Sequence, residues 1–409
     1  MSSDDARSAR WAWLAVAGLS IFIAAFAIGC GGDDSSDSTS AGGEMLSEVG
    51  KGEGELNLIC WASYCEDGST DPDVDWISDF EKQTGCQVNV KIGNTSDEMV
   101  QLMRTGQYDG VSASGDATLR LIDGGDVDPV NTDLVPNYAD IFPGLKDQPF
   151  NSVDGQMYGI PHGRGGNLLM WNTDEVKPDP TSWSAVFDPN EAAKQKGHVT
   201  AYDSPIYIAD AALYLMAHQP DLGITNPYEL DEDQFNAAID LLKQQREFIG
   251  EYWSDYAKQI QSFANGDTTV GTTWPYQYLA LQAEGDPVKT TIPEEGSTGW
   301  SDTWMISSEA QHPNCMYMWM NHITEPQVQA DVAEWFGEAP ANSKACEPQY
   351  LKKGPFPDVK HCEKYDASGE KYLDDLYYWT TPVSDCGDDR GDVCKTYDDW
   401  VQGWTEVKG

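Results

Sequence analysis

The residues best equipped for chemistry sit in Gly299-Trp300-Ser301-Asp302-Thr303-Trp304, where large aromatics flank one carboxylate. Upstream, Val270-Gly271-Thr272-Thr273 reads as a strand that runs into Trp274-Pro275-Tyr276. Nearer the start, residues 56–59 read as a strand whose end carries Trp61 and Tyr64. An aromatic face attracts an ammonium group by about 0.5–2 kcal/mol, more once water is excluded. A carboxylate then holds the charged head through a charge-assisted hydrogen bond. The chemistry on offer is capture of an organic cation. Each indole taken singly reads equally well as core. Several aromatics at strand ends are what point to a site, because open α/β sheets bind ligands there.

Other chemistries find little support. The six histidines have no metal-ligand spacing, and His162 beside Arg164 reads as a polar loop residue rather than a base. Gly163-Arg164-Gly165-Gly166 fits no phosphate motif, so its glycines are expected to allow turns or close backbone approach. No nucleophile motif is visible. A carbohydrate hydrolase would need a carboxyl pair about 5–9.5 Å apart, and none stands out. The expectation is a binding protein, not an enzyme, with no cofactor and no metal.

The chain has 409 residues, 40% hydrophobic and 11% aromatic, enough for two or three domains with a real core. Its 68 acids against 25 bases give a net charge of −43, which repels nucleic acid. Saline surroundings and steering of cations both account for that charge. Arg7 and Arg10 precede an apolar run from Trp11 to Ile28 that ends in Ala27-Ile28-Gly29-Cys30. This is an export signal over residues 1–29, and its end resembles a bacterial lipobox, which implies a lipid on Cys30. An uncleaved anchor is the alternative. A Gly/Ser/Asp-rich linker extends the tether to residue 54. Leaving out Cys30, eight of the nine cysteines remain, an even number in an exported chain, which favours disulfides. Cys346–Cys362 and Cys386–Cys394 suit local bridges. The pairing of Cys60, Cys65, Cys86 and Cys315 stays open.

The elements that must position the aromatics read as follows. A strand over 55–59, a helix over 75–83 stopped by Gly85, a strand over 86–92 and a helix capped by Ser96 lead to a strand near Val111. This alternation predicts a sheet with crossover helices. Asp231 caps the clearest helix, predicted over 231–252 from the stripe Phe235, Ala238, Ile239, Leu242 and Phe248. A helix over 259–265, a turn at Gly266-Asp267 and a strand over 268–273 then deliver Trp274.

Cys60-Trp61-Ala62-Ser63-Tyr64, Tyr108-Asp109-Gly110-Val111, Ser114-Gly115-Asp116, Pro293-Glu294-Glu295-Gly296 before Trp300-Ser301-Asp302, and the Gly337–Asn342 turn stand in the order found in one family. The chain resembles bacterial extracellular solute-binding proteins of the spermidine/putrescine type, which serve ABC importers. The resemblance covers most of residues 55–345 and only loosely the Cys- and Asp-rich remainder. It implies an α/β, two-lobe periplasmic-binding-protein-like fold of type II, each lobe a mixed sheet flanked by helices, with the ligand between them. Residues 55–161 and 302–350 would form lobe 1, and 162–301 and 351–409 lobe 2. It implies a lipid-anchored monomer at the cell membrane, facing outward, that delivers a small organic cation to a permease. Carried over by position, the ligand-binding residues are Trp61, Tyr64, Asp116, Asp203, Trp274, Trp300, Asp302 and Glu338. Ser63, Ile206 and Gln277 stand where the family often has acids, so another solute, such as a sugar, an amino acid derivative or a quaternary amine, is the alternative ligand.

Overall fold

The computed structural model describes residues 45–369 and 376–409. The expected signal, Cys30 and most of the linker lie outside them. Two sheets organise the chain. The first runs, in order, Ala339–Pro340, Gly159–Gly166, Ser297–Ser307, Gly110–Ala113, Glu55–Cys60 and Gln87–Ile92, and Val127–Asp128 and Leu376–Tyr378 also join the long strand Ser297–Ser307. Glu55–Cys60 pairs in parallel with both neighbours, as crossover helices require, whereas Ser297–Ser307 is antiparallel to Gly110–Ala113 and Gly159–Gly166. The second sheet runs Ile249–Trp253, Val199–Tyr202, Val270–Thr273, Leu168–Asn172 and Val288–Thr291.

The chain passes between the sheets twice at neighbouring points, between Gly166 and Leu168 and between Thr291 and Ser297. A buried polar chain ties these crossings together. Asn167 Nδ2 donates to Thr298 Oγ1 at 2.7 Å, and Thr298 Oγ1 donates to Asp210 Oδ1 at 3.1 Å. Desolvation pushes the Asp210 carboxyl up to about 7.

Local chemistry explains most element boundaries. Gly85 ends Ile77–Thr84 with φ of 77°, a left-handed conformation that glycine adopts without a Cβ clash. Thr95, not Ser96, caps Ser96–Met103, accepting from the Glu98 amide. Ser96 falls one residue inside the helix, and its hydroxyl turns instead to Asp116 at 2.8 Å. Asp231 and Gln234 form a reciprocal capping box on Glu232–Gln245. That helix is shorter than its periodicity suggests, because Ile249–Trp253 leaves it and becomes the edge strand beside Val199–Tyr202. Gly250 permits this: a Cβ there would lie 2.1 Å from the Gly197 carbonyl oxygen.

Among the described residues four disulfides are present, Cys60–Cys65, Cys86–Cys315, Cys346–Cys362 and Cys386–Cys394. Cys86–Cys315 closes a loop of 229 residues, tying the strand end before Gln87 to the helix Pro313–Ile323. Cross-links over long loops restrict the unfolded chain most. Replacing Cys86 and Cys315 together by serine is expected to lower unfolding free energy by about 2–5 kcal/mol. Denaturant titration of oxidised wild type and variant measures it, and equal midpoints would count against the bridge as a determinant of stability.

Candidate functional site

A nearly closed cavity of about 20 Å³ lies where the two sheets face each other, lined by Trp61, Ala62, Tyr64, Ser114, Trp274, Trp300, Asp302, Phe336 and Trp379. That is far below the roughly 300–1,000 Å³ of ligand sites, so the lobes stand closed on each other here and must part to admit a ligand. A larger groove of about 270 Å³ beside Pro178, Pro180 and Lys194 has no aromatic lining, so size alone does not select the site. The cavity's walls come from many places. Trp61 and Tyr64 follow the strand Glu55–Cys60, on the loop that Cys60–Cys65 closes. Ser114 immediately precedes the helix Gly115–Asp123, and Trp274 precedes Pro275–Glu284 at the end of Val270–Thr273. Phe336 ends the helix Pro326–Phe336.

Trp300 and Asp302 alternate on the strand Ser297–Ser307 and so share a face. Glycines in the neighbouring strand Gly159–Gly166 make room for the site. A Cβ on Gly165 would lie 2.3 Å from Trp300 Cζ2, and one on Gly163 would lie 2.5 Å from Glu338 Oε1. The Gly-rich stretch is a strand, and its glycines permit close approach. The rings meet edge to face: Trp61 on Trp274 at 5.7 Å and Trp300 on Phe336 at 5.4 Å.

The polar end is a chain of hydroxyls and carboxyls. Ser114 Oγ donates to Asp302 Oδ1 at 2.5 Å, and the Tyr64 hydroxyl donates to Asp302 Oδ2 at 2.8 Å. The same Tyr64 oxygen lies 3.2 Å from Glu338 Oε2. A hydroxyl has one proton and can donate it to only one carboxylate. Desolvation, then the Asp302 charge, raise the Glu338 carboxyl well above its usual range, so Glu338 keeps its proton and donates to Tyr64. Behind it, Trp304 Nε1 donates to His162 Nδ1 at 3.0 Å, which leaves the ring proton on Nε2, 3.5 Å from Glu338 Oε1. Burial pulls His162 down to about 3, so that contact joins neutral groups and is not an ion pair. Desolvation raises Asp302 to about 7 while Ser114 and Tyr64 oppose the rise. Asp302 is thus the more readily ionised of the two carboxyls, losing its proton near neutral pH.

Of the expected site residues, Trp61, Tyr64, Trp274, Trp300 and Asp302 line one cavity, and Glu338 stands directly behind through Tyr64. Asp116 and Asp203 do not line it. Asp116 is buried in the first turn of the helix that follows Ser114, accepts from Ser96 and is raised by desolvation to about 6. Asp203 holds the last helix, accepting from Trp404 Nε1 at 3.1 Å and pairing with Lys408. A buried acid in one lobe and a strand-end acid in the other share sequence signals with ligand contacts, and only the packing separates them. Phe336 and Trp379 were not expected. Phe336 adjoins the Gly337-Glu338 turn and was within reach of the pattern, whereas Trp379 lies in the tail, where the pattern gives no guide.

The fold and this interlobe cavity define the class: a two-lobe, type II periplasmic binding protein. The family model described as bacterial extracellular solute-binding protein matches residues 75–356, and the chain belongs to that family. Among curated relatives, the putrescine/cadaverine-binding protein of Pseudomonas aeruginosa is 25% identical over 312 residues, 71% of this chain and 80% of that one. The putrescine-binding periplasmic protein PotF of Escherichia coli is 24% identical over 305 residues, 71% of this chain and 78% of that one. Among solved structures, a putative spermidine/putrescine ABC transporter from Listeria monocytogenes has a TM-score of 0.69 at 19% identity, covering 87% of this chain and 99% of that one, which shows the shared fold.

Asp302 supplies a stability test. Its folded pKa of about 7 exceeds the ordinary 3.8, so the folded state holds the proton more tightly than the unfolded one. The stabilisation tied to that proton is complete below the unfolded value and declines as pH rises through about 7. Asp302→Asn keeps an acceptor for Ser114 and Tyr64 without the charge. It is expected to raise Tm at pH 8 by on the order of 2 °C and to change it little at pH 4. Thermal melts at both pH values check this, and a lower Tm for the variant at pH 8 would contradict it.

Proposed function

We propose that this chain is the solute receptor of an ABC importer and captures an organic cation of the polyamine class between its lobes. It binds without turnover and, as a monomer held by a lipid on Cys30, delivers the cation to the permease. One observation carries the reading: Asp302, nearly buried and ionising near neutral pH, lies among tryptophans of both lobes. An ammonium head meets that carboxylate while its methylenes lie along indole faces. Excluding water strengthens each charge contact. The names of the curated relatives, which bind putrescine, support an amine ligand. The Gly/Ser/Asp-rich tether and the lipobox-like end of the apolar run support the anchor.

A second ligand within the same fold is favoured by a specific observation. Asp302 is the single carboxylate among the residues that line the cavity, and Ser63, Ile206 and Gln277 supply no second one. The buried indole N–H groups of Trp61, Trp300 and Trp379 have no acceptor among the described residues. A ligand with one cationic head and an acceptor at its other end, such as an amino acid derivative, matches that inventory.

Titration calorimetry with putrescine, choline, 4-aminobutyrate and glucose separates these readings. The proposal expects putrescine to bind, and about tenfold more tightly at pH 8 than at pH 6, because Asp302 ionises near 7 and only the ionised form pairs with ammonium. Binding of 4-aminobutyrate alone would favour the second reading. Uptake of no cation at either pH would overturn the receptor assignment.

A further inference from the structure

The matched family region ends at residue 356, yet the chain continues to residue 409, and this tail touches both lobes and the cavity. Leu376–Tyr378 pairs in parallel with Ser297–Gly299 in the first sheet, and the Trp379 amide continues that pairing to the Gly299 carbonyl at 2.7 Å. The Trp379 ring lines the cavity and stacks on Tyr202 of the second sheet at 5.9 Å with 9° between planes. Its backbone belongs to one lobe and its ring contact to the other. Two residues on, Thr381 Oγ1 donates to the Asp116 carbonyl at 2.9 Å, fixing the tail beside the helix Gly115–Asp123.

The tail then moves to the second lobe. The Lys395 amide donates to the Leu230 carbonyl at 2.8 Å, and the helix Tyr397–Lys408 lies on Glu232–Gln245, where a Cβ on Gly403 would lie 2.6 Å from Phe235. From this helix Tyr397 reaches back across the gap. Its hydroxyl donates to Asp97 Oδ1 at 3.0 Å, and its ring lies 3.9 Å beneath the Arg120 guanidinium. Arg120 in turn pairs with Asp97 at 2.7 Å. Asp97 and Arg120 belong to helices of the first lobe, Ser96–Met103 and Gly115–Asp123. A desolvated cation–π contact and a charge-assisted hydrogen bond thus span the lobes without involving a ligand.

We propose that the segment 376–409 is a strap that completes the binding site: Trp379 supplies a wall of the cage, and Tyr397 latches the second lobe against Asp97 and Arg120 of the first. The strap holds the lobes together before a ligand arrives, so less of the ligand's binding energy goes into closing them. The wall half rests on the cation-receptor reading, and the latch half does not.

Two measurements test it on the full exported chain. Spin labels replace Lys82 and Lys258, exposed residues of the first and second lobes, and their separation is measured without ligand. Tyr397→Ala is expected to shift the distances longer, and Tyr397→Phe, which keeps the ring beneath Arg120, to shift them less. Unchanged distances in both variants would overturn the latch. Calorimetry with putrescine and choline is run in parallel on wild type and Trp379→Ala. Loss of about tenfold in affinity for whichever cation wild type binds supports the wall. Equal affinity would overturn the wall and leave the cation receptor standing. If wild type takes up neither cation, the receptor reading fails, and the strap stands or falls on the label distances alone.

Discussion

A carboxylate removed from water and left ionisable is the constraint around which this molecule is built. Asp302 sits in the middle of the long strand Ser297–Ser307, where burial opposes its charge. Two hydroxyls, from Ser114 and Tyr64, point their protons at it and make the charge tolerable without neutralising it. Glu338 supports Tyr64 from behind, and as a neutral acid it adds a donor and no second negative charge. A carboxylate held in this way favours a cation beside it. Burial of this carboxyl is costly, and functional sites commonly carry such a cost in stability.

Much of this was legible in the sequence, and the reasons are physical. Strand ends followed by aromatics marked Trp61, Tyr64 and Trp274, because a parallel sheet gathers its strand ends along one edge. The alternation Trp300-Ser301-Asp302 placed a ring and an acid on one face of a strand. The glycines of Gly159–Gly166 announced close approach, though not that Trp300 and Glu338 were the groups approaching. The local disulfides Cys346–Cys362 and Cys386–Cys394 followed from short separations, while Cys86–Cys315 joins segments that only the folded sheet brings together.

What stayed hidden depends on long-range packing. Asp203 at a strand end looks like a ligand contact until the last helix arrives and takes it with Trp404 and Lys408. The helix Glu232–Gln245 carries a periodic stripe that runs on to Phe248, but the β-favouring Ile249–Trp253 finds an open sheet edge, and tertiary pairing outweighs the pattern. Trp379 could not be read locally at all, because its role depends on where Leu376–Tyr378 pairs. The net charge of −43 says little about the site, since exposed charges are screened beyond about 8 Å at physiological salt while the cavity depends on one buried acid.

The most direct measurement is a crystal structure of the chain grown with putrescine. The account predicts an ammonium nitrogen about 3 Å from an Asp302 carboxylate oxygen, with the methylenes among the indoles of Trp61, Trp274, Trp300 and Trp379. Putrescine bound at another acid, or a cage still empty at saturating putrescine, would contradict it.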